Sequence, residues 1–460
     1  MRATLPTAVL AFCAVLAALV PAGTSAPARV ADDNPTEAPA EAKPGRVYAW
    51  KAEDGLPFEY RVPEGYDAER GANLTLVLHG NGLDHRWTFW NHPPDEFRVA
   101  DIVVSPDGTT FTQGTNANEF LGGDADARRV HALIEELKAT WNVRQVFLYG
   151  HSQGSFFVFY YAGKYPDDVD GVLGHASGMW NGTAQDKRGH HVAVAFMHGT
   201  NDHIPYGQSE YGAQSYRDAG YPNVNLRTLF DWGHPPHYHQ AEQELAWCEG
   251  VTSELPERVA ACLDELADEK RPMGVDWGAL YAVAARLKDM EGAEARDRER
   301  ATKIAEAVDE LAREHVAAIE KALGKGKLTE LDGGAWSGHV TRFLADFRGV
   351  PACAEFVDAH ERELDKVEKN AADALKDYWR NKERKPREAF EDGLKLLEGG
   401  WSSYRCGEVL EQLELWAADA RELKLSKSGV KRLKELADDW RDGRKDGFQE
   451  YEKRNRKADL

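Results

Sequence analysis

The sequence has too little positive charge to favour a nucleic-acid partner. Its 460 residues include 57 Lys and Arg against 77 Asp and Glu, which gives a formal net charge of −20 at pH 7. Proteins that bind phosphate backbones usually carry a basic patch or stripe. The balance fits a well-solvated exported surface, and acidity alone does not define a substrate.

Long apolar runs are also scarce. One runs from Ala8 to Val20 and stops at Pro21, which is shorter than the roughly 20 apolar residues of a membrane span. Arg2 precedes this run and small residues follow it, as in a secretory signal peptide. We therefore expect residues 1–26 to be a signal peptide, the mature chain to have no membrane span, and the protein to be secreted or periplasmic.

Cysteine is rare, with five residues in the whole chain, of which Cys13 lies in the apolar run. An exported chain meets an oxidising compartment, where the remaining four cysteines would favour disulfides. We expect Cys248 to pair with Cys262 across a short turn and Cys353 with Cys406 between neighbouring helices. Free buried thiols are the alternative.

Composition and periodicity divide the rest of the chain into three parts. Residues 27–45 are rich in Pro, Ala and acidic residues and lack apolar periodicity, which predicts a disordered linker. Residues 46–250 alternate strand and helix patterns, which predicts a doubly wound, mostly parallel sheet. Residues 251–460 show only helices with one apolar stripe each, which predicts a separate helical bundle. Its role stays open, with partner binding or self-association as options.

Several strands and helices can be placed from these patterns. An antiparallel pair is expected at 47–50 and 58–62. Buried strands of a parallel sheet are expected at 74–78, 101–106, from 145, at 172–176, 192–197 and 224–230. Beyond residue 250, helices are expected at about 304–323, 353–379, 386–398, 405–421 and 428–441.

The segment Gly150-His151-Ser152-Gln153-Gly154 is the centre of the functional prediction. It lies between a strand pattern and an amphipathic helix pattern, so it matches a G-x-S-x-G nucleophile elbow in its proper context. Glycines flank the serine because side chains there would collide with the neighbouring backbone. A chance glycine-rich turn is the alternative.

A serine nucleophile needs a base, and the base needs a carboxylate to orient it. Asp202 lies in the loop after the strand at 192–197, and His234 follows the strand at 224–230. Both residues therefore fall at the same end of the sheet as Ser152. The order Ser, Asp, His is that of α/β-hydrolases.

Together with the H-G-x-x-D-x-x-P pattern from His198 to Pro205 and the Gly233-His234 pair, the elbow resembles the α/β-hydrolase superfamily. Over residues 46 to 250 the chain is similar to secreted polyhydroxybutyrate depolymerases and feruloyl esterases. This resemblance implies Ser152 as nucleophile, Asp202 as acid and His234 as base, without a cofactor or a metal.

Acyl transfer also needs two N–H donors for the oxyanion. One is the amide of Gln153. The other is expected in the loop His79-Gly80-Asn81-Gly82, with Asn81 as the implied donor. Because this loop departs from a three-glycine pattern, the choice between Asn81 and Gly82 stays open.

Two further assignments have alternatives. Trp87 and Trp180 are candidates for lining a substrate pocket, and core or lid packing is the alternative for both. His237 and His239 lie close to His234 and compete with it as base. A zinc site in this histidine cluster is the weaker option, because the spacing is not that of typical zinc ligands.

The leading function is an exported serine esterase acting on a small or polymeric ester. A peptidase of the prolyl oligopeptidase type and a binding protein on a hydrolase scaffold are the alternatives. Because every proposed catalytic residue precedes Gly250, a chain ending shortly after Cys248 is expected to keep activity on small esters.

Overall fold

A computed structural model describes residues 36–121, 123–178, 187–268, 274–324, 326–328, 339–382, 385–398 and 404–455. The predicted signal peptide and the first part of the predicted linker lie outside these residues. From Thr36 onward the linker contacts the sheet: Thr36 bridges Ala49, and the Tyr60 hydroxyl donates to the Glu37 carbonyl at 2.8 Å. These contacts place the end of the linker beside the strands, and disorder of the linker stays a prediction.

The main sheet has eight strands in the order β1-β2-β4-β3-β7-β8-β9-β10. Its strands are β1 Val47–Lys51, β2 Pro57–Arg61, β3 Ala72–Leu78, β4 Ile102–Pro106, β7 Val143–His151, β8 Gly171–His175, β9 Ala193–Gly199 and β10 Val224–Leu229. Strands β1 and β2 pair antiparallel, β2 also pairs antiparallel with β4, and the remaining pairs are parallel. The predicted fold class is confirmed. A hairpin of β5 Thr110–Thr112 and β6 Ala117–Glu119 forms a second, two-stranded sheet.

Helices cover both faces of the main sheet. Successive side chains of a strand point to opposite faces, so each strand contributes to two apolar cores. Leu74, Leu76 and Leu78 of β3 belong to one core, whereas Val77 belongs to the other. The helices of this part are α1 Trp87–Asn91, α2 Asp124–Thr140, α3 Gln153–Lys164, α4 Gly207–Asp218 and α5 Tyr238–Thr252. Strands buried on both faces explain the continuous apolar runs in the sequence.

The C-terminal part of the described chain is helical, as predicted. It contains α6 Pro256–Leu266, α7 Trp277–Asp289, α8 Ala295–Leu323, α9 Thr341–Asp346, α10 Pro351–Lys382, α11 Pro386–Glu398, α12 Tyr404–Ala418 and α13 Lys427–Asn455. Among the described residues, no helix combines the length and apolar character needed to cross a bilayer.

The apolar core behind α5 continues into these helices. One cluster contains Val77 and Leu173 of the sheet together with Val283 of α7 and Val308 of α8. The boundary predicted near residue 250 falls inside α5, so it does not separate two independent cores. Residues of the four helices α10, α11, α12 and α13, including Phe390 of α11, form a smaller separate apolar cluster.

The predicted disulfides are absent from the described residues, where Cys248, Cys262 and Cys353 are free, buried thiols. The side chain of Cys406 lies outside the described part. Cys248 faces β8, since a Cβ placed on Gly171 would lie 2.9 Å from its Cβ, while Cys262 packs beside Gly250. Residues two apart lie about 200° apart around a helix. Cys248 therefore points away from the face of α5 that Cys262 contacts.

Candidate active site

Ser152 lies in a sharp turn between β7 and α3. Its φ is +53°, a left-handed conformation that is uncommon for a residue with a side chain. A Cβ on Gly150 would lie 2.2 Å from the Gly154 carbonyl oxygen, and a Cβ on Gly154 would lie 2.3 Å from the Leu78 carbonyl oxygen. Only glycine fits at these two positions, which is why the sequence carries glycines on both sides of the serine.

The structure brings Ser152, His234 and Asp202 together at the carboxyl ends of β7, β9 and β10. The Ser152 hydroxyl lies 3.0 Å from His234 Nε2. His234 Nδ1 lies 2.9 and 3.0 Å from the two carboxylate oxygens of Asp202. With Nδ1 donating to Asp202, Nε2 is left as the acceptor that can take the serine proton.

Buried side chains and backbone groups hold the three loops in place. Asp202 is only 4% exposed and accepts from the Ile204 amide at 2.8 Å. The Asn201 amide donates to the Trp232 carbonyl at 2.8 Å, which joins the acid loop to the histidine loop. His151 Nε2 donates to the His234 carbonyl at 2.8 Å, and burial lowers the pKa of His151 to about 3. This neutral imidazole is therefore a fixed support for the histidine loop.

The loop after β3 approaches Ser152 closely, as its glycines predict. A Cβ on Gly80 would lie 3.2 Å from the Ser152 Cβ. The Gly82 amide donates to Glu119 Oε1 at 3.1 Å, so it is already committed to another partner. Asn81 is exposed at the site. This geometry favours the Asn81 amide over that of Gly82 as the loop's donor.

The second candidate donor is the amide of Gln153, the first residue of α3. The first N–H groups of a helix lack intrahelical acceptors. They also carry the positive end of the helix dipole. A developing negative charge beside Ser152 would therefore meet a favourable environment at this helix end.

Glu119 is a residue of the site that sequence reasoning missed. It is fully buried at the end of β6 and accepts hydrogen bonds from Asn81, Gly82, Thr115 and Gln153. No local motif marks Glu119, because its partners in the loop after β3 and in α3 are more than 30 positions away in sequence. A lone Glu at the end of a three-residue strand carries no signal of this kind.

The two tryptophans predicted to line a pocket have different outcomes. Trp87 is 4% exposed and stacks on His151, with ring centroids 5.2 Å apart. This contact favours the packing alternative, in which Trp87 supports the elbow from within the core. Trp180 lies outside the described residues.

The competing histidines pack against aromatic side chains. His237 precedes α5, is 7% exposed and packs on Trp232, and burial lowers its pKa to about 4. The His239 ring lies against Tyr238. Among the described residues, Asp202, His203 and His234 place one possible metal-ligand atom each within 4.8 Å of one another. This set differs from the cluster of His234, His237 and His239 that is the weaker, zinc-binding alternative.

Comparisons with known proteins agree with the fold. A family model described as alpha/beta hydrolase fold matches residues 76–337, more than half of the chain. No curated protein matches the chain in sequence.

Several solved structures are similar in part. A thermostable esterase has 16% identity and a TM-score of 0.33, with the match covering 47% of this chain and 62% of that one, less than two thirds of its length. A carboxylesterase from Bacillus cereus has 15% identity and a TM-score of 0.35 over 43% and 96%. A feruloyl esterase module from Clostridium thermocellum, complexed with sinapinate, has 15% identity and a TM-score of 0.35 over 48% and 92%. At these identities and scores, the likenesses do not define a substrate.

Proposed function

The chain belongs to the α/β-hydrolase family, and we propose on that premise that it is an exported serine esterase that cleaves carboxylic esters through an acyl-enzyme on Ser152. The observation that carries the proposal is the continuous line of hydrogen bonds from Ser152 Oγ through His234 to Asp202. A serine hydroxyl becomes an effective nucleophile when such a base takes its proton.

In the first half of the reaction, His234 Nε2 takes the Ser152 proton while Oγ attacks the ester carbonyl carbon. The oxyanion that forms accepts hydrogen bonds from the amides of Asn81 and Gln153. His234 then gives its proton to the departing alkoxide, so that an alcohol leaves and the acyl group stays on Ser152. Asp202, 2.9 Å from His234 Nδ1, stabilises the transient imidazolium.

In the second half, His234 takes a proton from water, and the hydroxide oxygen attacks the acyl carbon. Collapse of the second oxyanion breaks the bond to Ser152 Oγ, which recovers its proton from His234. The product is a carboxylic acid, and the free enzyme is restored. The choice of ester over amide as substrate is supported by the motifs that resemble secreted esterases.

A panel of p-nitrophenyl esters and peptide anilides tests the substrate class. We expect the purified protein to hydrolyse esters and the Ser152→Ala variant to be inactive while remaining folded by circular dichroism. Turnover of anilides without esters would favour the peptidase alternative. Wild-type turnover by the folded variant would overturn the assignment of the nucleophile.

Export is supported by the signal-peptide pattern of residues 1–26. N-terminal sequencing of protein recovered outside the cytoplasm should find a start near residue 27. A chain that stays in the cytoplasm and retains the N-terminal segment would contradict the proposed location.

A further inference from the structure

The side chain of Glu119 connects two parts of the active site that are distant in sequence. Its Oε1 accepts from Asn81 Nδ2 at 3.0 Å, from the Gly82 amide at 3.1 Å and from Thr115 Oγ1 at 2.6 Å. Its Oε2 accepts from Gln153 Nε2 at 3.3 Å. Asn81 and Gln153 are the residues whose amides are the proposed oxyanion donors, so one carboxylate contacts both.

The setting of this carboxylate is unusual. Glu119 is fully buried, and burying a charged group is unfavourable unless hydrogen bonds or opposite charges compensate for it. Its four hydrogen-bond donors are an amide nitrogen of the backbone, two side-chain amides and a hydroxyl, none of which is a cation. Each donor is therefore held in a fixed direction by a strong acceptor.

From this arrangement we infer that Glu119 is the positioning residue of the oxyanion site. By engaging the Gly82 amide it fixes the turn after β3, and this leaves the Asn81 amide directed toward the space beside Ser152. By engaging the Gln153 side chain it fixes the start of α3. The inference deepens the proposed function and rests on it, because it concerns the same reaction.

A role in positioning and a role through charge predict opposite effects. A carboxylate close to a developing oxyanion repels it, so removal of the charge alone would accelerate the reaction. Loss of positioning would slow it, because displacing a catalytic group by about 1 Å can cost about 100-fold in rate. The sign of the change therefore distinguishes the two roles.

The experiment compares Glu119→Gln and Glu119→Ala with the wild-type protein. Glutamine is neutral and offers one acceptor oxygen in place of two, so it holds the loop after β3 with a weaker acceptor and keeps Gln153 only if the Gln153 side-chain amide turns its oxygen toward the new NH2 group. We expect kcat on a short p-nitrophenyl ester to fall by about 10-fold for glutamine and about 100-fold for alanine, with KM little changed.

A second readout does not depend on the choice of substrate. The rate at which a fluorophosphonate labels Ser152 requires the nucleophile and the oxyanion site, and it should fall in parallel with kcat. Gln153→Met keeps the backbone amide but removes the side-chain contact with Glu119. It should cause a smaller fall in the same direction, even if the Glu119 variants do not fold.

The matched control is Glu244→Gln. Glu244 is also fully buried, and its Oε2 accepts from Asn225 Nδ2 at 2.8 Å, apart from the active site. Burial raises its pKa well above the ordinary value, so a neutral amide is a close substitute. We expect the labelling rate and kcat of the Glu244→Gln variant to equal those of the wild type.

The outcomes separate this inference from the proposed function. Labelling of folded Glu119 and Gln153 variants at the wild-type rate would overturn the inference and leave the esterase proposal intact. Wild-type protein that is labelled on Ser152 but hydrolyses no ester would overturn the substrate class, while slower labelling of the variants would still support the role of Glu119. Wild-type protein that is not labelled would overturn both.

Discussion

The proposed base, His234, is distinguished from the neighbouring histidines by position and not by residue type. His234 Nε2 lies 3.0 Å from Ser152 Oγ, whereas His237 packs on Trp232 and His239 on Tyr238. We expect His234→Ala to lower kcat/KM by at least about 10³-fold, because loss of one triad member removes most of the catalysis. His239→Ala is the matched control and should retain activity close to that of the wild type.

Steady-state kinetics on one short ester checks this prediction, with melting temperatures to show that each variant is folded. His237 is buried, so its alanine variant should lose stability more than turnover per folded molecule. If the His237→Ala variant were folded but inactive and the His234→Ala variant active, the base would be His237 and not His234.

Buried histidines should also set the acid limit of stability. Burial lowers the pKa of His92 and His237 to about 4 and that of His151 and His315 to about 3. In the unfolded chain the value is about 6.5. The unfolded state therefore binds more protons below pH 6.5, and stability should fall from there toward pH 4, by about 1.4 kcal/mol per pH unit for each such residue.

The substitution His92→Phe tests this account. His92 is fully buried among Trp87, Phe97 and Tyr149, so phenylalanine suits its surroundings and cannot take up a proton. Urea unfolding at several pH values between 4.5 and 7 gives the free energy of unfolding as a function of pH. Its slope should be smaller for the variant, by the contribution of about one bound proton. An identical slope would show that His92 does not contribute to acid unfolding.

At the scale of elements, the helix α9 contacts the loop that carries the proposed base, His234. Arg342 lies with its guanidinium carbon 4.1 Å from the centroid of the Phe230 ring and 4.4 Å from that of Phe448 on α13. Its Nη2 is also 3.5 Å from Asp231 Oδ2. Asp231 has a φ of +64° and precedes His234 by three residues. A residue from the helical region thus contacts the start of the histidine loop.

We therefore expect Arg342→Ala to lower kcat by about 10-fold with a smaller change in KM, because a loosened loop places the imidazole less well. Lysine should not restore the rate, since it lacks the planar group that stacks on two rings. Arg296 of α8 has a largely exposed side chain and pairs with Glu294 at the surface, so Arg296→Ala is the control. An unchanged kcat in folded Arg342→Ala would show that α9 does not position the base.

Strands that are buried on both faces could be placed from the sequence, because their apolar runs are continuous. The predicted catalytic motifs follow directly after these runs. The run Leu74 to Leu78 and the elbow after β7 are examples. The hairpin β5–β6 could not be placed, since its two strands have three residues each and a mostly polar composition. Glu119 was missed with it, because its function depends on contacts across the fold.

The partner of the C-terminal helices could not be predicted either. An apolar stripe such as that of Ile304, Val308 and Leu311 shows that a helix packs, but not against what. Here the stripe joins the core behind the sheet. The thiols illustrate the same limit, because a spacing of 14 residues between Cys248 and Cys262 does not show which way each side chain points.

At the scale of the whole molecule, the sheet and the helices share buried polar contacts as well as an apolar core. Arg227 of β10 is 3% exposed and pairs with Asp346 of α9 at 2.8 Å. Asp346 also accepts from the Tyr451 hydroxyl of α13 at 2.6 Å. The C-terminal helix therefore takes part in a network that reaches the strand before His234.

From sequence, a chain that ends shortly after Cys248 is expected to keep activity on small esters. These contacts predict instead that such a chain is not stable. Such a chain would expose the apolar core that α5 shares with the later helices, and it would lack Asp346, the carboxylate that pairs with Arg227. We expect it not to fold, as judged by circular dichroism and thermal unfolding beside the full chain. A folded truncated chain with full turnover of a small ester would show that the helices are dispensable.

The central claim is that Ser152 is the nucleophile of an ester hydrolase, and titration with a fluorophosphonate tests it most directly. Residual ester hydrolysis should fall in proportion to the fraction of protein labelled, and peptide mapping should find one label, on Ser152. The Ser152→Ala variant should take up none. Hydrolysis that persists in fully labelled protein, or loss of activity with the label on another residue, would contradict the account.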